Sequence, residues 1–300
     1  MLRILILCIV SAISPEAHNP FFQEESIATK GTLFYSLPCP QPIENLLLGA
    51  GHSLLAEDLG ALYSSQFFAG QVGGSARSAA VVVPLVLSLL TVKSVIDVGC
   101  GVGPWAAEFM ARGIEDVWGV DGDYVDRAQL RIPDCRFIPR DLTKSLQFDR
   151  TFDLAVCLEL AEHLPDYRAA GLIADLVRLA DCVLFSAAAP GPTGVNHINP
   201  QYLPYWINLF QKEGHIAIDP IRPQILGNDS VEWFYQQDIV MFLASDHFLA
   251  AKGFAKPQTF IHQELYEHVL HRELSLGMIV RGLPGAVVRS VRYRLGLGRG

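Results

Sequence analysis

Val95-Ile96-Asp97-Val98-Gly99-Cys100-Gly101-Val102-Gly103 is an apolar run that turns acidic at Asp97 and then carries glycines at alternate positions. Glycines spaced in this way let a strand turn tightly, bring backbone close to a ligand and aim the next helix's N-terminus at it. The spacing is not the dinucleotide fingerprint, because that pattern needs two residues between its second and third glycine and the third glycine here comes one position early. A single glycine-rich turn is as readily structural as functional, so its surroundings decide.

Working outward from this turn, short apolar runs at 94–97, 117–121, 136–139, 152–158 and 182–187 alternate with helical stretches. Near-continuous apolar strands in such alternation indicate a parallel sheet covered by helices on both faces. Helices are expected over 124–130, over 167–180 and over 200–213. The second carries Ala170, Ile173, Ala174, Val177 and Ala180 on its inner face, with Asp175 and Arg178 outside. The third has Asn199 as its cap, Pro200 in its first turn and Gly214 past its end. Later strands are expected at 216–219 and 238–243. The apolar stretch 79–92 holds Pro84 and meets a polar break at Lys93-Ser94, which suits a buried helix better than a membrane span. The organisation is a loosely structured extension over 1–60, one α/β domain over 61–250 and a basic helical tail over 251–300.

Half the residues are hydrophobic and 18% are charged, a balance that folds into a core. The net charge of −8 argues against nucleic acid as partner. The tail departs from it: eight Lys or Arg against three Glu over 251–300 give +5, leaving −13 for the remainder. Its last part, 278–300, mixes apolar residues with arginines and suits peripheral contact with an anionic membrane surface as well as a solvated tail. Cys8, Cys39, Cys100, Cys135, Cys157 and Cys182 form no CxxC pair and are expected as free thiols in a reducing compartment.

Two further strand ends carry acids. Asp121 closes the second strand, where a carboxylate accepts hydrogen bonds from a ribose diol. Asp141-Leu142 follows the third, a carboxylate and apolar pair suited to an adenine amino group and ring face. The segment 96–103, with Asp121 and Asp141 after it, resembles the motif series of class I S-adenosylmethionine-dependent methyltransferases. The resemblance continues through Asp153-Leu154-Ala155-Val156-Cys157-Leu158-Glu159-Leu160-Ala161-Glu162-His163-Leu164, similar to that family's fourth strand and Glu-x-x-Glu-His turn, and covers roughly 75–245. It implies a doubly wound, mostly parallel seven-stranded sheet whose last strand, at 238–243, is antiparallel. It also implies S-adenosyl-L-methionine as cofactor, with Asp97, Gly99, Cys100, Gly101, Gly103 and Glu159 around its methionine and ribose portions. Asp121 would take the ribose hydroxyls, and Asp141 with Leu142 the adenine.

Methyl transfer from a sulfonium is an in-line displacement, so alignment and exclusion of water do most of the work. A hydroxyl acceptor must also lose its proton, a task for histidine near neutral pH. His163 follows the fourth strand, and His197 lies in a Gly/Pro-rich loop after the fifth that could close over an acceptor. His163 serves equally as a structural hydrogen-bonding group, and His197 as a solvated loop residue. Spacing reveals no metal cluster, since His262, His268 and His271 are too loosely placed. The expected acceptor is a small polar metabolite or sugar, methylated on oxygen. An aminopropyl transferase on the same fold and a non-catalytic cofactor-binding module are the alternatives. The first residues, Met1-Leu2-Arg3 before the apolar run to Val10, imitate a short secretory signal. Export would part the enzyme from its cofactor, so an early start or an extension, and a cytoplasmic location, are expected.

Overall fold

The computed structural model describes residues 65–191 and 194–273. The expected extension at 1–60 with its signal-like start, Cys8 and Cys39, and the tail over 278–300 lie outside them.

Seven strands form one sheet in the order β3-β2-β1-β4-β5-β7-β6. They are β1 (Ser94–Val98), β2 (Asp116–Asp121), β3 (Phe137–Pro139), β4 (Leu154–Leu158), β5 (Cys182–Ser186), β6 (His215–Ile218) and β7 (Val240–Ala244). The first five pair parallel, while β7 runs antiparallel to both β5 and β6. The antiparallel last strand implied by the family resemblance is therefore present. Every residue of β4 and β5 is buried, which is why these segments read as continuous apolar runs.

Alternate side chains feed two cores, because a strand's residues point to opposite faces in turn. Val95, Leu154, Val156 and Leu184 pack with Val82 and Val86 of α1 (Ser65–Leu89) and Phe109 of α2 (Pro104–Ala111). Ile96, Ala155, Cys157 and Phe185 pack on the other face with α3 (Asp166–Leu179) and α4 (Leu203–Lys212). Three further helices follow, α5 (Arg222–Ile225), α6 (Trp233–Asp238) and α7 (Gln263–Glu273). The stretch 79–92 falls largely in α1, with Pro84 inside it, and no helix among the described residues is long and apolar enough to cross a membrane.

Several expectations need correction. No helix spans 124–130: only a 3-10 turn at Arg127–Gln129 forms, because the Asp126 carboxylate takes the Ala128 N–H and Gln129 side chain locally. Such local bonds compete with a helix, and Pro133 ends any that starts. In α3 the buried stripe is Ala169, Leu172, Ile173, Leu176 and Leu179, while Ala170 faces solvent. Asp175 is not outside but buried, paired with Arg168 and Arg178 and accepting from Leu146 N–H at 2.9 Å. Periodicity registers a charge and cannot see its partners. α4 begins at Leu203 without a side-chain cap, so Asn199 does not cap it. Cys100, Cys157 and Cys182 are buried and free, but Cys135 is exposed and disulfide-bonded. Strand packing that shelters the other three thiols does not reach it.

Candidate active site

Parallel pairing of β3-β2-β1-β4-β5 lines up the ends of these strands along one edge of the sheet. Asp141, Asp121, Asp97 and Glu159 fall there in spatial order, on the strands flanking the switch between β1 and β4 where open α/β sheets bind ligands. Gly99, Gly101 and Gly103 all have positive φ. At Gly99 the requirement is double, since its φ is +80° and a Cβ would lie 2.8 Å from Leu160. Cys100 is buried beside these glycines, and burial, with Asp97 and Asp121 nearby, pushes its thiol well above the usual range.

Asp97 and Asp121 are both buried. Asp121 accepts from Gly101 N–H at 2.7 Å on one oxygen and from Gly122 N–H and the Tyr124 hydroxyl at 2.6 Å on the other. Burial raises its carboxyl, and these three donors oppose the rise. The Oδ2 of Asp97 has no hydrogen-bond partner. Burial, then the charge of Asp121, pushes Asp97 up to about 8. A buried carboxylate pair with an orphaned oxygen suits a cationic ligand, which would favour both ionised forms. S-adenosylmethionine, carrying sulfonium and ammonium charges, fits this donor set.

Asp141 and Leu142 follow β3 as expected. Leu142 is buried, whereas the Asp141 carboxylate already accepts from Thr143 N–H at 3.0 Å and its hydroxyl at 2.5 Å and pairs with Lys144 at 3.3 Å. Partial burial would raise its carboxyl, but these partners hold it below the usual value.

Beyond β4 the chain enters a second polar group. Glu159 has a φ of 53°, an uncommon conformation for a residue with a side chain, and accepts from the Ser186 hydroxyl at 2.7 Å. Burial raises it to about 6. A 3-10 turn, Ala161–His163, then presents Glu162 and His163. Glu162 is fully buried, and burial followed by the charge of Glu159 drives its carboxyl far upward. The loop after β5 is tied to this turn by Ile198 and Asn199 N–H groups, both donating to the Glu162 carbonyl at 2.9 Å. That docking brings His197 against His163, with ring centroids 4.8 Å apart and planes at 84°. His163 Nδ1 lies 3.2 Å from the Asn196 carbonyl oxygen. Burial, then His197, lowers His163 to about 4, and burial lowers His197 as well, so both imidazoles are neutral at pH 7.

The structure thus brings His163 and His197 together as one group. It also places residues to which the sequence assigned no part in the site. Glu162 joins the histidines, Asn199 is buried beneath the loop, and Asp238 at the end of α6 is raised by burial and by Glu159. Ser75 and Trp105 meet at the Tyr235 hydroxyl, at 3.1 and 3.2 Å. Arg77 pairs with Glu232 at 2.8 Å and faces solvent.

A family described as a methyltransferase domain matches residues 75–222. No curated protein sequence matches the chain. Among solved structures, TnmH is 17% identical with a TM-score of 0.42 over 63% of this chain and 60% of that one. The chain therefore spans about 60% of the length of TnmH. The magnesium protoporphyrin IX methyltransferase of Synechocystis PCC 6803, solved with bound S-adenosylmethionine, is 20% identical with a TM-score of 0.39, over 66% of this chain and 87% of that one. An O-methyltransferase family protein from Burkholderia thailandensis is 13% identical with a TM-score of 0.43, over 63% and 59%.

Proposed function

We propose that this chain, which through residues 75–222 belongs to the class I S-adenosylmethionine-dependent methyltransferases, methylates an oxygen atom of a small polar acceptor such as a sugar or other polar metabolite. The observation that carries the oxygen reading is the neutral His163–His197 pair at the β4 and β5 end of the acidic row. The cofactor supplies an electrophilic methyl on a sulfonium. Asp97 and the glycines of 99–103 bind its methionine and ribose portions, Asp121 the ribose hydroxyls, and Asp141 with Leu142 the adenine. Glu159 closes the row on the cofactor's methionine side. At the acceptor, a neutral imidazole draws off the hydroxyl proton as the oxygen attacks, and His197, on the loop, faces it.

The test is an assay of the full chain with S-adenosylmethionine and a panel of hydroxyl, amine and thiol acceptors, read by mass. Expected is S-adenosylhomocysteine together with a gain of about 14 Da, one methylene, on a hydroxyl compound. Methylation of amines alone would overturn the oxygen assignment, and cofactor binding without any turnover would leave a binding module. Glu159, Glu162 and Asp238 supply clustered acids that also suit an amine, so the decarboxylated cofactor with a polyamine belongs in the same panel.

Gly194 offers an independent handle on His197. Its φ is +90°, and a Cβ there would lie 2.1 Å from the His197 ring. Gly194→Ala is expected to push the imidazole aside and lower turnover about tenfold with cofactor affinity unchanged, the signature of lost positioning. Steady-state kinetics with a cofactor titration would show it, and an unaltered rate would mean the ring position is immaterial.

A further inference from the structure

One donor atom each from Glu162, His163 and His197 lies within 4.8 Å of the others. Both carboxylate oxygens of Glu162 are buried. Glu159 stands beside it, its carboxyl within hydrogen-bonding reach of that of Glu162. Two buried acids so placed either share a proton or hold a positive ion.

We propose that Glu162, His163 and His197 form a binding site for one divalent first-row transition-metal cation. Two imidazole nitrogens and one carboxylate are the donor set that selects such ions over magnesium or calcium, which prefer oxygen alone. The tautomer of His163 agrees. A carbonyl oxygen only accepts, so the contact from Nδ1 to the Asn196 carbonyl at 3.2 Å puts the proton on Nδ1 and presents the Nε2 lone pair as donor. Support of a ligating histidine by a backbone carbonyl is the recurrent outer arrangement at metal centres. The two segments that carry the ligands are also fastened together, through the Ile198 and Asn199 N–H bonds to the Glu162 carbonyl. A tetrahedral ion at about 2.1 Å from each donor would set them about 3.4 Å apart, so modest ring rotations close the site.

With three protein ligands an open position remains, the pattern of catalytic rather than structural sites. There the ion would lower the pKa of an acceptor hydroxyl enough for its proton to pass to solvent water before the oxygen attacks the methyl, and His197 would act as a ligand instead of taking the proton itself. That role rests on the oxygen acceptor proposed above. Ion binding does not, so the two can fail separately.

The test is metal uptake by the untagged full chain, stripped with a chelator and titrated with Co2+ and Zn2+ in the absence of cofactor and acceptor. Co2+ is followed by its visible absorption and both ions by elemental analysis after desalting. Expected is about one ion per chain, with Glu162→Gln and His197→Ala each weakening binding at least tenfold and His247→Ala binding as wild type. Circular dichroism and cofactor titration establish that each variant is folded. Because Glu162 is buried, His197→Ala carries the decision if Glu162→Gln fails to fold. No uptake by the wild type, or uptake equal in wild type and His197→Ala, would overturn the site. A methyl-transfer assay that fails while Co2+ binds with these dependences would leave the site standing and remove only the oxygen reading.

Discussion

Replacing His197 with alanine is expected to lower the single-turnover rate of methyl transfer at saturating substrates about a hundredfold or more, with cofactor affinity near wild type. The asymmetry follows from position. His197 belongs to the loop after β5 and touches the turn after β4, whereas the proposed cofactor acids Asp97, Asp121 and Asp141 lie on β1, at the end of β2 and after β3. In the reading proposed above its neutral ring acts on the acceptor's proton, either directly or by holding an ion that does, and neither action touches the sulfonium. His163→Ala differs, because that ring is the more buried, anchors the Asn196 carbonyl and packs edge-on against His197. Its removal should raise the acceptor KM and disturb the loop as well as slow chemistry. A His197→Ala enzyme with wild-type single-turnover rates would exclude both modes of action for His197, and an equal fall in cofactor affinity would move the residue into the cofactor site.

The sheet was legible because its central strands are buried on both faces and therefore apolar throughout, a signal that needs no partner to be recognised. The acid ending each strand was legible for the same reason: Asp97, Asp121 and Glu159 each interrupt or close an apolar run. Geometry that depends on what another segment supplies was not. Asp175 reads as a surface charge until Arg168 and the Leu146 N–H appear beside it. Asn199 reads as a helix cap until its N–H is found on the Glu162 carbonyl, and the helix is found to start later. Glu162 and His163 are neighbours in sequence, but His197 joins them only because two loops dock. Metal-ligand spacing along one chain segment is blind to such a meeting.

Asp121→Ala is expected to weaken S-adenosylmethionine binding by about 1.5 to 3 kcal/mol, roughly tenfold to a hundredfold in Kd. The Asp121 carboxylate spends three of its roughly four acceptor positions on Gly101 N–H, Gly122 N–H and the Tyr124 hydroxyl. A ribose diol must use the remaining one and displace the Tyr124 hydroxyl, so part of the binding energy is offset and the lower half of the range is favoured. The same substitution reaches Asp97. In the wild type, burial and the Asp121 charge hold Asp97 at about 8. Below that pH the carboxyl is protonated before the cofactor arrives, and a cationic ligand that needs it ionised must displace the proton. Affinity should therefore fall as pH drops through about 8, by at most tenfold per unit. Without the Asp121 charge, Asp97 ionises at lower pH, and the dependence should move to lower pH. Calorimetric titrations of folded Asp121→Ala and wild type between about pH 6.5 and 9 would then differ most at the alkaline end, where wild-type Asp97 is ionised, and converge toward neutrality. Unchanged affinity across that range would remove Asp121 from the cofactor site, and a lower alkaline affinity with an unshifted pH profile would separate Asp121 from the titration of Asp97.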